Sequence, residues 1–229
     1  MSAFRTLRAG LLLLLVAACG GDEPPADRPD DEATRPRSPI FYPRRLTERA
    51  PDEFRARFET SEGEFVIAVH RAWAPNGADR FYNLVKNGFY DDARVYRVIE
   101  GFMAQFGLHA DPLVSYQWRN AVLVDVPVVQ SNTRGRVSFA KGGPNSRTTE
   151  VFVNYRDNSA LDAQGFSPFG EVVEGMDVVD RLYSGYGDGP PRGEGPYQAQ
   201  VQAQGNAYLD AEFPELDRIV RARVEGEEG

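Results

Sequence analysis

Strict alternation of apolar and charged residues, beginning at position 54, constrains the fold more than any other feature of the chain. Phe54, Ala56 and Phe58 alternate with Arg55, Arg57 and Glu59. After Ser61-Glu62-Gly63 the pattern resumes through Phe65, Ile67 and Val69. Successive side chains on a strand point to opposite faces, so this stretch predicts a hairpin with one buried face. A helical stripe follows. Pro75 is suited to a first helical turn, Ala78, Phe81, Leu84 and Val85 recur at helical spacing, and Asn87-Gly88 supplies a left-handed stop. Further strands are predicted over 94–99 and 102–106, divided by Glu100-Gly101, and over 136–140, 151–154, 169–172 and 219–224. Helices are predicted over 175–182 and 199–212, and 185–195 reads as a turn-rich loop. Many short strands with two or three helices imply a mainly β domain, a closed barrel with helical caps.

Upstream of residue 51 the pattern vanishes. Pro24, Pro25, Pro29, Pro36, Pro39 and Pro43 are interleaved with Asp, Glu and Arg. Such a stretch cannot bury enough surface to offset its ordering entropy, so 20–50 reads as a tether, reaching about 3.1 Å per residue when extended. Ile40-Phe41-Tyr42 is an apolar exception, expected to dock on the domain edge. Further upstream, Arg5 and Arg8 precede an uncharged, leucine-rich run over 10–18. A bilayer-spanning helix needs about 20 apolar residues, so this run is a secretory signal rather than an anchor. Val16-Ala17-Ala18-Cys19 resembles the bacterial lipobox, in which the signal is cut before a cysteine that is then acylated. Cys19 is the chain's one cysteine, as a lipid-attachment site implies. With Gly20 after it rather than aspartate, the resemblance favours attachment to the outer membrane, facing the periplasm. The expected organisation is a lipoprotein signal over 1–18, lipidated Cys19 and tether over 19–50, and a folded domain over 51–229.

Composition excludes several function classes. The chain carries 26 Lys+Arg against 34 Asp+Glu, and loss of Arg5 and Arg8 with the signal takes its net charge from −8 to −10. No basic face for nucleic acid is expected. One cysteine and two histidines, His70 and His109, cannot make an internal disulfide or a tetrahedral zinc site. Both histidines read as surface residues. No glycine loop followed by Lys-Ser/Thr is present to cradle phosphate, so no metal or cofactor is expected. Nothing resembles a coiled coil, and a monomer is expected.

The run Val95-Tyr96-Arg97-Val98-Ile99-Glu100-Gly101-Phe102-Met103-Ala104-Gln105 resembles the catalytic strand pair of cyclophilins. The resemblance continues in order through Phe139-Ala140-Lys141-Gly142-Gly143-Pro144-Asn145-Ser146, Thr149-Glu150-Val151-Phe152-Val153, Leu161-Asp162 and Phe169-Gly170-Glu171-Val172. It implies a closed eight-stranded antiparallel barrel capped by two helices, here with an extra C-terminal helix. It also implies peptidyl-prolyl cis–trans isomerase activity, without a cofactor, on proline-containing polypeptides. Carried over by position, Arg97 matches the catalytic arginine and Gln105 the glutamine beside it. Phe102, Met103, Phe152 and Leu161 match the wall of the proline pocket. Ala140 matches a small residue beside the substrate backbone, and Lys141 the residue whose main chain pairs with the peptide. Phe166 stands near the place of a pocket histidine. Ala160 replaces a frequent aromatic associated with cyclosporin binding, so weak cyclosporin sensitivity is expected. Glu150 replaces a usual glutamine and, if it faces Arg97, would hold the guanidinium or compete for it. The stretch 106–112 lacks the family's glycine-rich loop.

These residue types suit the reaction. Rotation about X–Pro meets a barrier of about 18–20 kcal/mol because it breaks amide resonance. In the twisted state the prolyl nitrogen regains a lone pair, which a permanently charged guanidinium binds better than it binds either planar state. One preorganised electrostatic contact contributes about 3–4 kcal/mol, while a millionfold acceleration needs about 8 kcal/mol. A dry pocket gripping the ring must supply the rest. Val95 and Ile99, two residues either side of Arg97, are apolar, so Arg97 is expected to share a face with the core. The leading expectation is an isomerase assisting exported proteins. The alternatives are a binding module without useful turnover and a structural envelope lipoprotein, in which nothing depends on Arg97.

Overall fold

The computed structural model describes residues 37–227. The alternating stretch folds as β1 (Glu53–Thr60) and β2 (Gly63–His70), paired antiparallel from Glu53↔His70 to Thr60↔Gly63. The two-residue connection requires Gly63, whose φ of 128° is one that residues with a side chain avoid. Phe54, Ala56, Phe58, Phe65, Ile67 and Val69 are all buried, as the period of two demands. The outward Arg55 and Arg57 pair instead with Glu174 and Glu225.

Six further strands complete the sheet: β3 (Arg97–Ile99), β4 (Met103–Phe106), β5 (Arg136–Phe139), β6 (Val151–Asn154), β7 (Pro168–Glu174) and β8 (Ile219–Val224). Their order is β3-β4-β6-β5-β7-β2-β1-β8, and every pairing is antiparallel. Helix α1 (Pro75–Lys86) lies against β7 and β8. It buries Ala78, Phe81, Leu84 and Val85, the stripe its spacing predicts. Aromatic rings fill the space beneath it. Phe58 stacks on Phe65 at 5.0 Å, and Phe169 lies 4.9 Å from Phe81 and 5.0 Å from Phe139. Each such side chain contributes about 1.5–3 kcal/mol on burial.

The fold is thus mainly β, eight antiparallel strands with helices packed on them. Its edge strands β3 and β8 share no ladder. The chain just ahead of β3 instead meets the chain entering β8. Val95 N donates to Asp217 O and Ile219 N to Ala93 O, both at 2.8 Å. The sheet is therefore curled, and 94–96, expected within a strand, serves this contact before β3 begins at Arg97.

The helices depart further from expectation. Helix α2 (Pro112–Trp118) was not anticipated. Asp111 caps it by accepting from Leu113 N at 2.8 Å, with Pro112 in the first turn. Helix α3 (Met176–Arg181) matches 175–182 closely. The single helix expected over 199–212 is two, α4 (Gln198–Gln204) and α5 (Asn206–Glu212), broken at Gly205 with φ 59° and ψ −142°. A Cβ there would lie 2.1 Å from Ala110 O, so the close approach of α2's entry dictates the break. Helix α4 packs on α2 and α5. A second apolar cluster lies here, built on Tyr96, Leu108, Val201, Leu209 and Leu216.

The apolar triplet docks as expected. Ile40 is buried within the 3-10 turn Pro39–Phe41, and its carbonyl accepts from Trp118 Nε1 at 2.7 Å. Ala50 is buried too, so packing extends upstream of residue 51 wherever the proline-rich stretch offers apolar side chains. Cys19, the signal and the tether's first half lie outside the described residues.

Candidate active site

Register builds the site. Arg97 on β3 faces Gln105 on β4, which faces Phe152 on β6, which faces Ser138 on β5. Residues directly opposite across a sheet share a face, so these four form one row. The neighbouring row, Val98, Ala104, Val153 and Val137, points into the core and is buried. Arg97 therefore does not share the core face, as its apolar neighbours suggested. It stands on the outer face of the curled sheet, beside a cleft of about 830 Å³.

All nine residues assigned to the site line this cleft. Arg97 Nη1 donates to Gln105 Oε1 at 2.8 Å. Met103, Phe152, Phe102, Leu161 and Phe166 make the apolar wall, with Phe166 edge-on to Phe152 at 5.7 Å. Ala140 and Lys141 lie along the rim. Lys141 Nζ pairs with Asp125 at 3.0 Å, and its charge sits 5.5 Å from the Phe166 ring. Ala160 is exposed on the 3-10 helix Ser159–Gln164.

Buried polar groups hold the wall in shape. Asn158 Nδ2 donates to Phe102 O at 2.9 Å, and Asn132 Nδ2 donates to Asp162 Oδ1 at 2.7 Å and Phe166 O at 2.8 Å. Glu150 does not reach Arg97. Gln105 lies between them, its Nε2 donating to Glu150 Oε2 at 2.8 Å while its Oε1 accepts from Arg97. Tyr96 OH also donates to Glu150, and Gln198 Nε2 donates to it at 2.8 Å. Burial raises the Glu150 carboxyl, and these donors only partly oppose the shift.

The chain matches the family model for the cyclophilin-type peptidyl-prolyl cis-trans isomerases over residues 55–202. It belongs to the cyclophilin family. It is 33% identical over 129 residues to a peptidyl-prolyl cis-trans isomerase of Acinetobacter baylyi, covering 54% of this chain and 69% of that one. It is 32% identical over 133 residues to peptidyl-prolyl cis-trans isomerase B of Escherichia coli, covering 55% of this chain and 81% of that one. In fold it is similar to a cyclophilin-type isomerase of Cryptosporidium parvum, with TM-score 0.56 and 17% identity over 77% of this chain and 99% of the other.

This cyclophilin's cleft has a wall that the sequence did not reveal. The loop over 185–195 folds onto it, and Asp188 accepts from Arg97 Nε at 2.7 Å and Nη2 at 3.3 Å. Burial alone would raise the Asp188 carboxyl, but hydrogen bonding to Arg97 and the charges of Arg97 and Arg192 hold it below its ordinary value. Asp188 is the only acid between Gly185 and Pro191, and that is its one signal in the sequence. Gln198 carried none, and Tyr96 stood inside the strand-pair motif without a role of its own. The histidines are half-buried rather than at the surface. His70 stacks on Trp73 at 4.1 Å, and His109 Nδ1 accepts from Asp111 N at 2.9 Å with its basicity lowered by burial. Among the described residues no group of three or more His, Cys, Asp or Glu is arranged to hold a metal.

Proposed function

We propose that this cyclophilin isomerises X–Pro bonds at the Arg97–Gln105 pair, on polypeptides exported across the inner membrane. The observation that carries the site is that pair, 2.8 Å apart, at an apolar wall made by Phe102, Met103, Phe152 and Leu161. The proline ring enters against the wall, while Arg97 donates to the prolyl nitrogen as it becomes pyramidal. Gln105 holds one edge of the guanidinium, which limits reorganisation at the twisted state. The main chain at Ala140 and Lys141 holds the peptide. The chemistry is non-covalent, and the barrier falls because the twisted state is bound better than the planar ones.

Export and anchorage through acylated Cys19 follow from the signal-like leader and its lipobox-like end. They put a monomeric domain at the outer membrane, facing the periplasm. The curled sheet, joined near Ala93 and Asp217, supports reading it as a closed barrel capped by α1 and α3. Asp188 on the guanidinium favours one competing reading, a module that binds proline segments without turning them over. Line-shape or exchange NMR on a short X–Pro peptide separates the two. Exchange accelerated at catalytic protein concentrations supports the isomerase, and saturable binding without acceleration supports the module. Labelled fatty acid incorporated by the wild type and lost in Cys19→Ala would support the anchor.

A further inference from the structure

We infer that Asp188 is a positioning residue for Arg97, and that the segment from Asp188 to Gln198 is part of the isomerase site. This rests on the reading of Arg97 as the catalytic group. A guanidinium carries five N–H donors in a fixed plane. Nε and one hydrogen of Nη2 go to Asp188, and one hydrogen of Nη1 goes to Gln105. One N–H on each terminal nitrogen remains for a substrate. With Gln105 alone, a long side chain on an edge strand could swing about a single contact. With Asp188 the planar fork is gripped on a second edge, and its plane is set. The pair is also largely withdrawn from water, with side-chain exposures of 22% for Arg97 and 14% for Asp188, so it is weakened by solvent far less than a surface ion pair.

The loop is built to present this carboxylate. Asp188 Oδ1 accepts from Gly189 N at 2.9 Å, Oδ2 pairs with Arg192 Nε at 2.8 Å, and the Asp188 carbonyl accepts from Gly195 N at 2.8 Å. A Cβ on Gly193 would lie 2.3 Å from Asp188 O, so the loop closes around Asp188 only with glycine at that position. The segment's other end acts on the second anchor. Gln198, at the start of α4, donates to Glu150, which in turn accepts from Gln105. Both contacts that orient Arg97 therefore trace to one stretch of chain.

The test compares kcat and KM for a short X–Pro peptide across wild-type protein, Asp188→Ala, Asp188→Asn, Arg97→Ala and the double variant Arg97→Ala/Asp188→Ala. Misplacing a catalytic group by an ångström can cost about a hundredfold. Asp188→Ala should lower kcat by about 10- to 100-fold with KM little changed, and Asp188→Asn, which keeps one acceptor, should fall between. The double variant should be no slower than Arg97→Ala alone, because Asp188 acts only through Arg97. Near-UV circular dichroism checks folding, with Asp188→Asn as the variant that preserves shape. Turnover equal to or above wild type in Asp188→Ala would overturn the inference, since the carboxylate would then be idle or competing with substrate. Additive losses in the double variant would also overturn it. If Arg97→Ala alone turns over normally, the reading of Arg97 fails and this inference falls with it.

Discussion

Removing the Asp162 carboxylate should loosen the cleft wall that carries Leu161 and Phe166. Asp162 Oδ1 accepts from Asn132 N at 2.9 Å and from Asn132 Nδ2 at 2.7 Å, and Oδ2 accepts from the Ser131 hydroxyl. Burial would raise this carboxyl, but the bonds from Ser131 and Asn132 hold it below its ordinary value. A hydrogen bond to a charged group contributes about 1.5–3 kcal/mol net. Ser131 is half-exposed and can turn to water, so only the two bonds from fully buried Asn132 count. Asn132 Nδ2 also keeps Phe166 O, which softens the loss. Asp162→Ala should therefore cost about 3 kcal/mol, read in urea as a lower midpoint at unchanged slope. Leu161, next to Asp162, would lose its support while Arg97 is untouched, so KM should rise with kcat nearly kept. Because the folded carboxyl is depressed, its contribution is complete above the ordinary carboxylate value. It is lost as pH falls through the folded value, so the gap between wild type and variant should narrow in acid. A cost below about 0.5 kcal/mol, the range of an ordinary surface change, with KM unchanged, would show that the Asp162 carboxylate does not hold the wall.

Two further outcomes are expected. Glu150 is raised by burial, so its contribution to stability is fullest below the ordinary carboxylate value and declines as pH rises through the folded one. Glu150→Gln should accordingly gain Tm over wild type as pH rises from the ordinary carboxylate value through the folded one, and should alter turnover through Gln105. A pH-independent Tm difference would contradict the first part, and unchanged turnover the second. Gly205→Ala should lose about 2 kcal/mol or more, since Gly205 has positive φ and its Cβ would strike Ala110 O. A Tm equal to wild type would show that the break between α4 and α5 is not required.

Legibility in the sequence followed the range of the interactions. The first hairpin and α1 were readable because each buries one face through local periodicity, with glycine at the stops. The start of β3 was not, because the contact between 93–95 and 217–219 is long-range. Nor was the break at Gly205, which is dictated by the backbone of residue 110. Helix α2 had its signal in Asp111-Pro112, but the stretch before it was read only for what it lacked. The nine residues assigned to the cleft came from the ordered family motifs rather than from periodicity. Pattern alone suggested the wrong face for Arg97, because the strand parity breaks just before β3. Asp188 lies 91 residues from Arg97, and Gln198 lies 48 from Glu150. A glycine-rich loop has no period that could announce such partners, and Gln198 reaches the cleft on a helix, α4, placed by long-range packing against α2.

The proposed reaction turns on a held guanidinium at position 97 that stabilises the twisted X–Pro bond. It is tested most directly by the rate of cis-to-trans conversion of a short X–Pro peptide in wild type and in Arg97→Ala, with folding of both verified. Loss of one preorganised donor should slow kcat by about 10²–10³ while the apolar wall still binds the proline ring. An Arg97→Ala protein that isomerises the peptide as fast as wild type would contradict the account.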